Sequence, residues 1–378
     1  MGFGNLPWPD TGTAGGSLAE GEITVWCLLG RKAGDNTQVR ALATALGWGC
    51  TEKQVLARPW ELLTHLTLGA TLAGIDRAAS SELAAPWPDL VITAGRRNEP
   101  VARWIQAQSG GHTRLVHIGR PWAPLATWDL VITTPQYFLP EQANILHNSL
   151  PLHLPDADAL ARAAARLEAR VADLPRPRIA VLAGGDSGKF VFTVDKGRRL
   201  GAAANALAAG VGGALLFTDS PRTPSCAGDA AVGELSAPHF VHRCAQGGEN
   251  PYQGMLGLAD AFIVTGESMS MLGEAAETGR PLYIFDMGDG DVPWWRLAHG
   301  WLYKPLSHRI AMRFGPARMR RDVGRIQEAL VASGQARWLE EVEVAAQAEL
   351  INAPRAAAAG IAVEELEKSA AAVRRLFA

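Results

Sequence analysis

Residues 262–285 read Phe262-Ile-Val-Thr265-Gly-Glu267-Ser-Met-Ser270-Met-Leu-Gly-Glu274-Ala-Ala-Glu-Thr-Gly279-Arg-Pro-Leu282-Tyr-Ile-Phe285. An apolar run, Phe262–Thr265, enters a turn rich in Ser and Gly. A small-residue segment over Ser270–Thr278 has the composition of a helix and stops at Gly279, and a second apolar run, Leu282–Phe285, follows. Strand, turn, helix and strand in this order are the mark of parallel βαβ layering.

The same alternation extends in both directions. Upstream, Ile179–Ala183 runs into Gly184-Gly-Asp-Ser-Gly188, and Leu215–Thr218 into Asp219-Ser-Pro-Arg-Thr223. Nearer the N-terminus, Ile23–Leu29, Leu90–Thr93, Leu115–Ile118 and Leu130–Thr133 form a second apolar series, with helices predicted from Asn36 to Leu46 and from Pro100 onward. Between the two series lies an Ala/Arg/Leu helix over 156–173, with Asp156 as its cap, ended by Pro175 and Pro177. A domain boundary is expected there, because 378 residues exceed one comfortable hydrophobic core. The reading is α/β: a flexible Gly/Pro/Thr-rich tail over 1–20, Rossmann-like domains over 21–174 and 175–330 facing a cleft, and C-terminal helices over 331–378 that pack back across the domains, with a break near Asn352-Ala-Pro354.

Composition removes several classes. At 48% hydrophobic and 20% charged, with net charge −2, the chain is neither disordered nor a general nucleic-acid binder. No run approaches the ~20 apolar residues of a membrane helix, and the first 20 residues lack the positive n-region of a signal peptide. Cys27, Cys50, Cys226 and Cys244 show no C-x-x-C spacing and read as reduced, mostly buried thiols of a cytosolic protein.

Ligands of open parallel sheets bind outside the carboxyl ends of the strands, and the polar clusters fall there. Gly34-Asp-Asn-Thr-Gln38 opens the first helix: Asp35 is either its N-cap, with Gln38 reaching back, or a general base, and the two roles are compatible. Arg96, Arg97 and Arg120 sit on glycine-containing turns of one sheet edge and suit a phosphate or carboxylate on an acceptor. Gly184, Gly185, Ser187 and Lys189 form a glycine-rich turn that fails the Walker spacing yet is suited to a diphosphate; Ser220, Arg222 and Thr223 add hydroxyls and a cation. Ser268 and Ser270 stand at a helix start suited to phosphate, with Ser270 as the cap in the bland reading. Glu274, one turn on, is either an exposed helical carboxylate or an acceptor for ribose hydroxyls. His239-x-x-His242-x-Cys244 lacks a second ligand pair and reads as a strand, so no metal is expected. Arginines 309, 313, 318, 320, 321 and 325 form a basic stretch, either a solvated face or a contact with anionic lipid.

With these residues in view, the chain resembles the mitochondrial-fission Elm-type family and its bacterial members, which are described as glycosyltransferase-B-like or as nucleoside-diphosphate-sugar epimerases. The resemblance runs over about residues 23–340. It is carried by Gly34 and Gln38, Ala94-Gly-Arg-Arg97, His117-Ile-Gly-Arg-Pro121, Leu182-Ala-Gly-Gly185 with Ser187, Arg222-Thr-Pro224, Asn250-Pro-Tyr252, Glu267-Ser-Met-Ser-Met271 and Glu274 to Pro281. It implies a glycosyltransferase-B-like fold and a ribose-holding role for Glu274, with Asn250, Tyr252, Glu267 and Met271 in the donor site. The chain departs from the family pattern at Asp35, where bacterial members often carry His, and at Lys189-Phe190. The expected function is an inverting, metal-independent glycosyltransferase with a nucleotide-sugar donor as substrate, no cofactor, and an envelope or lipid-linked acceptor. A nucleotide-sugar epimerase and a non-catalytic scaffold are the alternatives. The expected location is cytoplasmic, with peripheral contact at the inner face of the membrane as the variant. His117 is the next choice of base should Asp35 only cap.

Overall fold

A computed structural model of the chain describes residues 23–378 apart from 61–67, 155, 291, 294–295, 302–303, 342 and 353–359; the expected tail over 1–20 lies outside the described residues. The strands form two six-stranded sheets, parallel throughout. The first contains β1 (Val25–Leu29), β2 (Cys50–Gln54), β3 (Leu90–Ala94), β4 (Arg114–Ile118), β5 (Leu130–Thr133) and β6 (Ile145–His147), in the order β2-β1-β3-β4-β5-β6. The second contains β7 (Arg178–Ala183), β8 (Ala214–Asp219), β9 (His239–His242), β10 (Ala261–Thr265), β11 (Leu282–Phe285) and β12 (Arg337–Trp338), in the order β12-β11-β10-β7-β8-β9. The central strands β1, β3, β7, β8, β10 and β11 are buried along their whole length, because helices cover both faces of each sheet. That is why they read as continuous apolar runs rather than alternating ones.

On the first sheet, α1 (Ala33–Leu46) covers one face and α2 (Glu99–Gln108) the other. The last helix, α11 (Ile361–Arg374), shares the core beside α1: Leu366, Ala370 and Val373 pack with Leu42. Polar contacts fix its register. Asn148 Nδ2 donates to Ser369 Oγ at 2.9 Å, Leu150 N to Glu365 Oε2 at 3.1 Å, and Arg374 Nη2 to Ala45 O at 2.7 Å. On the second sheet, one face carries α3 (Ala157–Val171), α6 (Tyr252–Leu258), α7 (Met269–Glu277) and α9 (Gly324–Ala332). The other carries α4 (Val194–Gly210), α5 (Ser225–Gly233) and α10 (Val344–Asn352). The remaining helix, α8 (Pro305–Phe314), lies between β11 and α9 in the chain.

Two expectations are corrected here. The helix α3 is capped by Asp156, whose carboxylate accepts from Ala159 N at 2.8 Å, but it packs with the second domain. Leu167 and Val171 belong to the core containing Met255 and Phe262, so the boundary expected at 174 falls before α3. The cysteines are the second correction. Cys27 and Cys50 stand side by side with Cα atoms 6.6 Å apart, and Cys50 and Cys226 are exposed while Cys244 is half-buried, so the thiols are not mostly buried as expected. The separation of 23 residues between Cys27 and Cys50 hid a contact made by the pairing of β1 with β2.

The helices α4 and α5 meet through glycine. A Cβ on Gly197 or Gly201 would stand 2.1 Å from the carbonyl oxygen of Ala227 or Ala231, respectively. Gly201→Ala therefore forces two backbones apart, and we expect a loss of about 1–3 kcal/mol, the usual cost of overpacking. Gly34→Ala, with nothing within 4 Å of the new methyl, is expected to hold or raise stability by up to ~1 kcal/mol. Urea unfolding of both variants tests the contrast; equal midpoints would contradict it.

Candidate functional site

Each sheet has one place where successive connections leave in opposite directions. In the first it lies between β1 and β3, in the second between β7 and β10. Loops diverge there and leave a crevice, the usual ligand position of an open α/β sheet. Residues 30–35 and 95–98 edge the first crevice, residues 184–189 and 266–268 the second.

In the first, Asn36 closes the loop after β1: its Oδ1 accepts from Gly30 N at 2.9 Å and its Nδ2 donates to Gly30 O at 2.8 Å. The N-cap of α1 is Lys32, without a side-chain cap. Asp35 is thus a first-turn residue rather than the expected cap, and Gln38 Nε2 donates to Gly34 O at 3.4 Å instead of reaching the cap. The Asp35 side chain is 32% exposed, with Lys32 Nζ 3.8 Å away. Its carboxylate overlies the turn after β3, since a Cβ on Gly95 (φ +76°) would stand 2.6 Å from Oδ2. Tyr137 completes this wall. Burial raises its phenol pKa; Arg321 opposes the rise and Asp35 adds to it.

The three arginines expected to form an acceptor anion site have separate duties. Arg96 stacks on Trp122 at 4.4 Å. Arg120 donates to Tyr137 O, and burial lowers its pKa. Arg97 is exposed on the turn. His117 is fully buried, 4.7 Å from the Trp128 ring and 3.9 Å from Glu99 Oε1. Glu99 in turn accepts from Trp122 N and Ala123 N, each at 2.8 Å. His117 therefore belongs to the interior of the first domain and is withdrawn as the alternative base.

In the second crevice the glycine turn is closed upon the protein. Gly184 N donates to Thr265 Oγ1 at 2.7 Å, Gly185 N to Glu267 Oε1 at 2.6 Å, Asp186 N to Arg222 O at 3.2 Å and Ser187 N to Phe190 O at 3.1 Å. These amides are spent, so the diphosphate cradle expected at this turn is not formed by them. A Cβ on Gly184 would lie 1.8 Å from Glu267 Oε1, and one on Gly185 2.1 Å from Arg222 O. Glycine here admits the neighbouring loop. The Ser220–Thr223 loop braces it: Thr223 Oγ1 accepts from Ser220 N at 3.0 Å and donates to Gly184 O, while Arg222 Nη1 donates to Asp186 O at 3.1 Å. Lys189 pairs with Asp322 at 3.4 Å.

Glu267 is buried at the base of this crevice. Burial pushes its pKa up to about 7 against the opposing pull of Arg222, the Gly185 amide and Thr265. Its Oε2 has no hydrogen-bond partner among the described residues. The N-cap of α7 is Ser268, not Ser270, and makes no side-chain cap bond. The helical ladder starts with Leu272 N donating to Ser268 O at 3.0 Å. The amides of Met269, Ser270 and Met271 thus precede it, as the first amides of any helix do. Ser270 is exposed and Met271 packs on the core. Glu274 accepts from Tyr252 Oη at 2.6 Å; burial raises its pKa, while that bond and His153 lower it. Asn250 Oδ1 accepts from the N–H of Tyr252, the first residue of α6, at 3.0 Å.

Sequence reading missed the residue that joins the two walls. Arg321 Nε donates to Gln136 Oε1 at 2.6 Å, and its guanidinium lies 5.9 Å from the Tyr137 ring. Its Nη2 is 3.7 Å from Met269 Sδ at the start of α7. Asp322 N donates to Gln136 O at 2.9 Å, and Arg325 stacks on Phe138 at 4.1 Å. One guanidinium thus touches the first-domain wall and the second-domain helix start. Among the described residues no group of three or more His, Cys, Asp or Glu comes together to hold a metal.

The family model described as mitochondrial fission ELM1 matches residues 33–364. The chain belongs to this family. It is 28% identical over 269 residues to mitochondrial fission protein ELM1 of Arabidopsis thaliana, covering 65% of this chain and 61% of that protein, so the match spans less than two thirds of the plant relative. It is 25% identical over 299 residues to protein RP120 of Rickettsia prowazekii, covering 70% of this chain and 83% of that one. Among solved structures it is similar to a glycosyltransferase from Rickettsia africae, at 10% identity and TM-score 0.46 over 94% of this chain and 99% of that one.

Glu267 generates a pH prediction. A carboxyl whose pKa is higher folded than unfolded holds a proton that the unfolded chain has released. Stability then falls as pH rises from the ordinary carboxylate range to about 7. Glu267→Gln keeps an acceptor for Gly185 N and removes the titration. Relative to the parent, the variant should gain roughly 2–3 kcal/mol between pH 5 and pH 8. Urea unfolding at both pH values measures it; a pH-independent difference would contradict the assignment.

Proposed function

We propose that this ELM1-family chain transfers a sugar from a nucleotide-sugar donor, seated in the second-domain crevice, to a hydroxyl acceptor presented at the first-domain wall. The observation that carries the reading is Arg321, which touches both walls and brings a cation to the start of α7. The unladdered amides of Met269–Met271, the positive end of the helix dipole and Arg321 together favour a diphosphate. Arg222, whose Nη2 stands 3.7 Å from Glu267 Oε1, adds a second guanidinium. Glu274 accepts from the ribose hydroxyls once Tyr252 yields its bond.

In the reaction, Asp35 takes the proton of the acceptor hydroxyl as its oxygen attacks the anomeric carbon. The bond from that carbon to the diphosphate oxygen breaks, and the configuration inverts. The departing charge is met by helix amides and guanidinium groups already in place, an arrangement that stabilises the transition state without reorganisation.

A binding-only scaffold is the second reading. It is favoured by the engaged amides of the Gly184–Ser187 turn and by the Tyr252–Glu274 bond. The two separate in one series. Calorimetry with UDP, GDP, ADP and CMP should find at least one ligand, and Glu274→Gln should weaken it by about 1–3 kcal/mol, the scale of a lost charge-assisted hydrogen bond. Unchanged affinity in the folded variant removes Glu274 from the site. Asp35→Asn should keep donor affinity and lower transfer by roughly 10²–10⁴-fold, the usual contribution of a general base. Transfer that survives the change places the base elsewhere. Donor binding with no turnover across an acceptor panel favours the scaffold, and conversion of the donor without acceptor favours an epimerase.

A further inference from the structure

The stretch from Val292 to Arg321 contains seven Lys or Arg, no Asp or Glu, and three of the chain's 12 tryptophans. All 38 acidic residues lie elsewhere, against only 29 of the 36 cations. An acidic protein therefore carries one acid-free cationic segment. Among its described residues several apolar side chains face outward: Trp301 is 86% exposed and Phe314 70%, with Ile310, Met319 and Val292 exposed as well. On α8 the exposed positions Ser307, Ile310, Arg313 and Phe314 follow Lys304 at helical spacing and form one face. Beside that face a cavity of about 260 Å³ is lined by Lys189, Arg309, Ile310, Met312, Arg313 and Phe314. Its amphiphilic lining combines cations with apolar side chains.

Exposing large aromatics in water is unfavourable, and interspersed arginine keeps the patch from being a plain apolar interface. Aromatic side chains beside cations, on an amphipathic helix, match the boundary between anionic headgroups and acyl chains. The segment is well anchored behind this face. Pro305 is buried, and Arg309 donates to Lys189 O at 2.8 Å and to Ala298 O at 3.0 Å. It ends at Arg321, on the cleft.

We propose that α8 with Trp301 and Met319 is a docking surface for a bilayer containing anionic phospholipid. Trp301, Ile310 and Phe314 enter the interface, and Lys304, Arg313 and Arg320 meet the headgroups. The proposal stands apart from the nucleotide reading, because docking requires no donor. None of these exposed residues belongs to the walls of the cleft.

The test is sedimentation of the full chain with vesicles of phosphatidylcholine alone and with 30 mol% phosphatidylserine, at low and high salt. Binding should be at least about tenfold stronger to the anionic vesicles and should fall with salt. Arg313→Glu should weaken it several-fold, since each basic side chain near such a surface contributes about fivefold. Ile310→Ser with Phe314→Ser should abolish it while thermal midpoint and nucleotide affinity hold. Equal binding to neutral and anionic vesicles, no binding to either, or binding that survives the double serine variant would each overturn the proposal.

Discussion

Parallel strands covered by helices on both faces leave charged side chains little room except near the strand ends. In both sheets this constraint drives Asp, Glu, Arg and Ser into the loops after the strands, and the crossover order opens a crevice among those loops at one position per sheet. The glycines of the second crevice follow from the same pressure. Glu267 reaches Gly185 N only because position 184 has no Cβ, and the Arg222 backbone comes close only because position 185 has none. A buried carboxyl held this way favours its neutral form. The base of the crevice is thus closely packed, and its carboxyl holds a proton below about pH 7.

The interdomain contacts give the two crevices a common boundary. The turn of the first domain that carries Gln136, Tyr137 and Phe138 is bound by Arg321, Asp322 and Arg325 of the second. The last helix crosses in the other direction: Glu277 on α7 accepts from Ala362 N at 3.0 Å at the start of α11, and the rest of α11 packs beside α1. The helix α7, whose start is proposed to meet a diphosphate, and the helix beside α1 are therefore joined at the far end of α7 by a direct hydrogen bond.

Central strands were legible because burial on both faces writes itself as apolar runs: Phe262–Thr265 and Leu282–Phe285 are strands at those positions. The edge strand β2, Cys-Thr-Glu-Lys-Gln, was not, since one flank meets solvent and its side chains are mostly exposed. Its pairing with β1 is also what brings Cys27 to Cys50. Asp35 stands in the first turn of the helix, as its sequence context indicates, but of its two open roles the cap falls to Lys32, the residue in the extended conformation, because a cap is defined by backbone angles that composition does not reveal. The Gly184–Gly188 turn misled for another reason: glycine signals close approach without saying whether a ligand or a loop approaches. Arg321 left no signal, because its partner Gln136 lies 185 residues away and a run of arginines looks the same on a solvated face.

The central claim is that the two crevices form one site, with the start of α7 and Arg321 at its centre. A crystal structure of the full chain with the tightest-binding nucleoside diphosphate tests it most directly. The account predicts phosphate oxygens within hydrogen-bond distance of the Met269–Met271 amides and the Arg321 guanidinium, with the ribose on Glu274 in place of the Tyr252 hydroxyl. Phosphates seated instead on the Gly184–Gly188 turn, or a nucleotide bound away from α7, would contradict it.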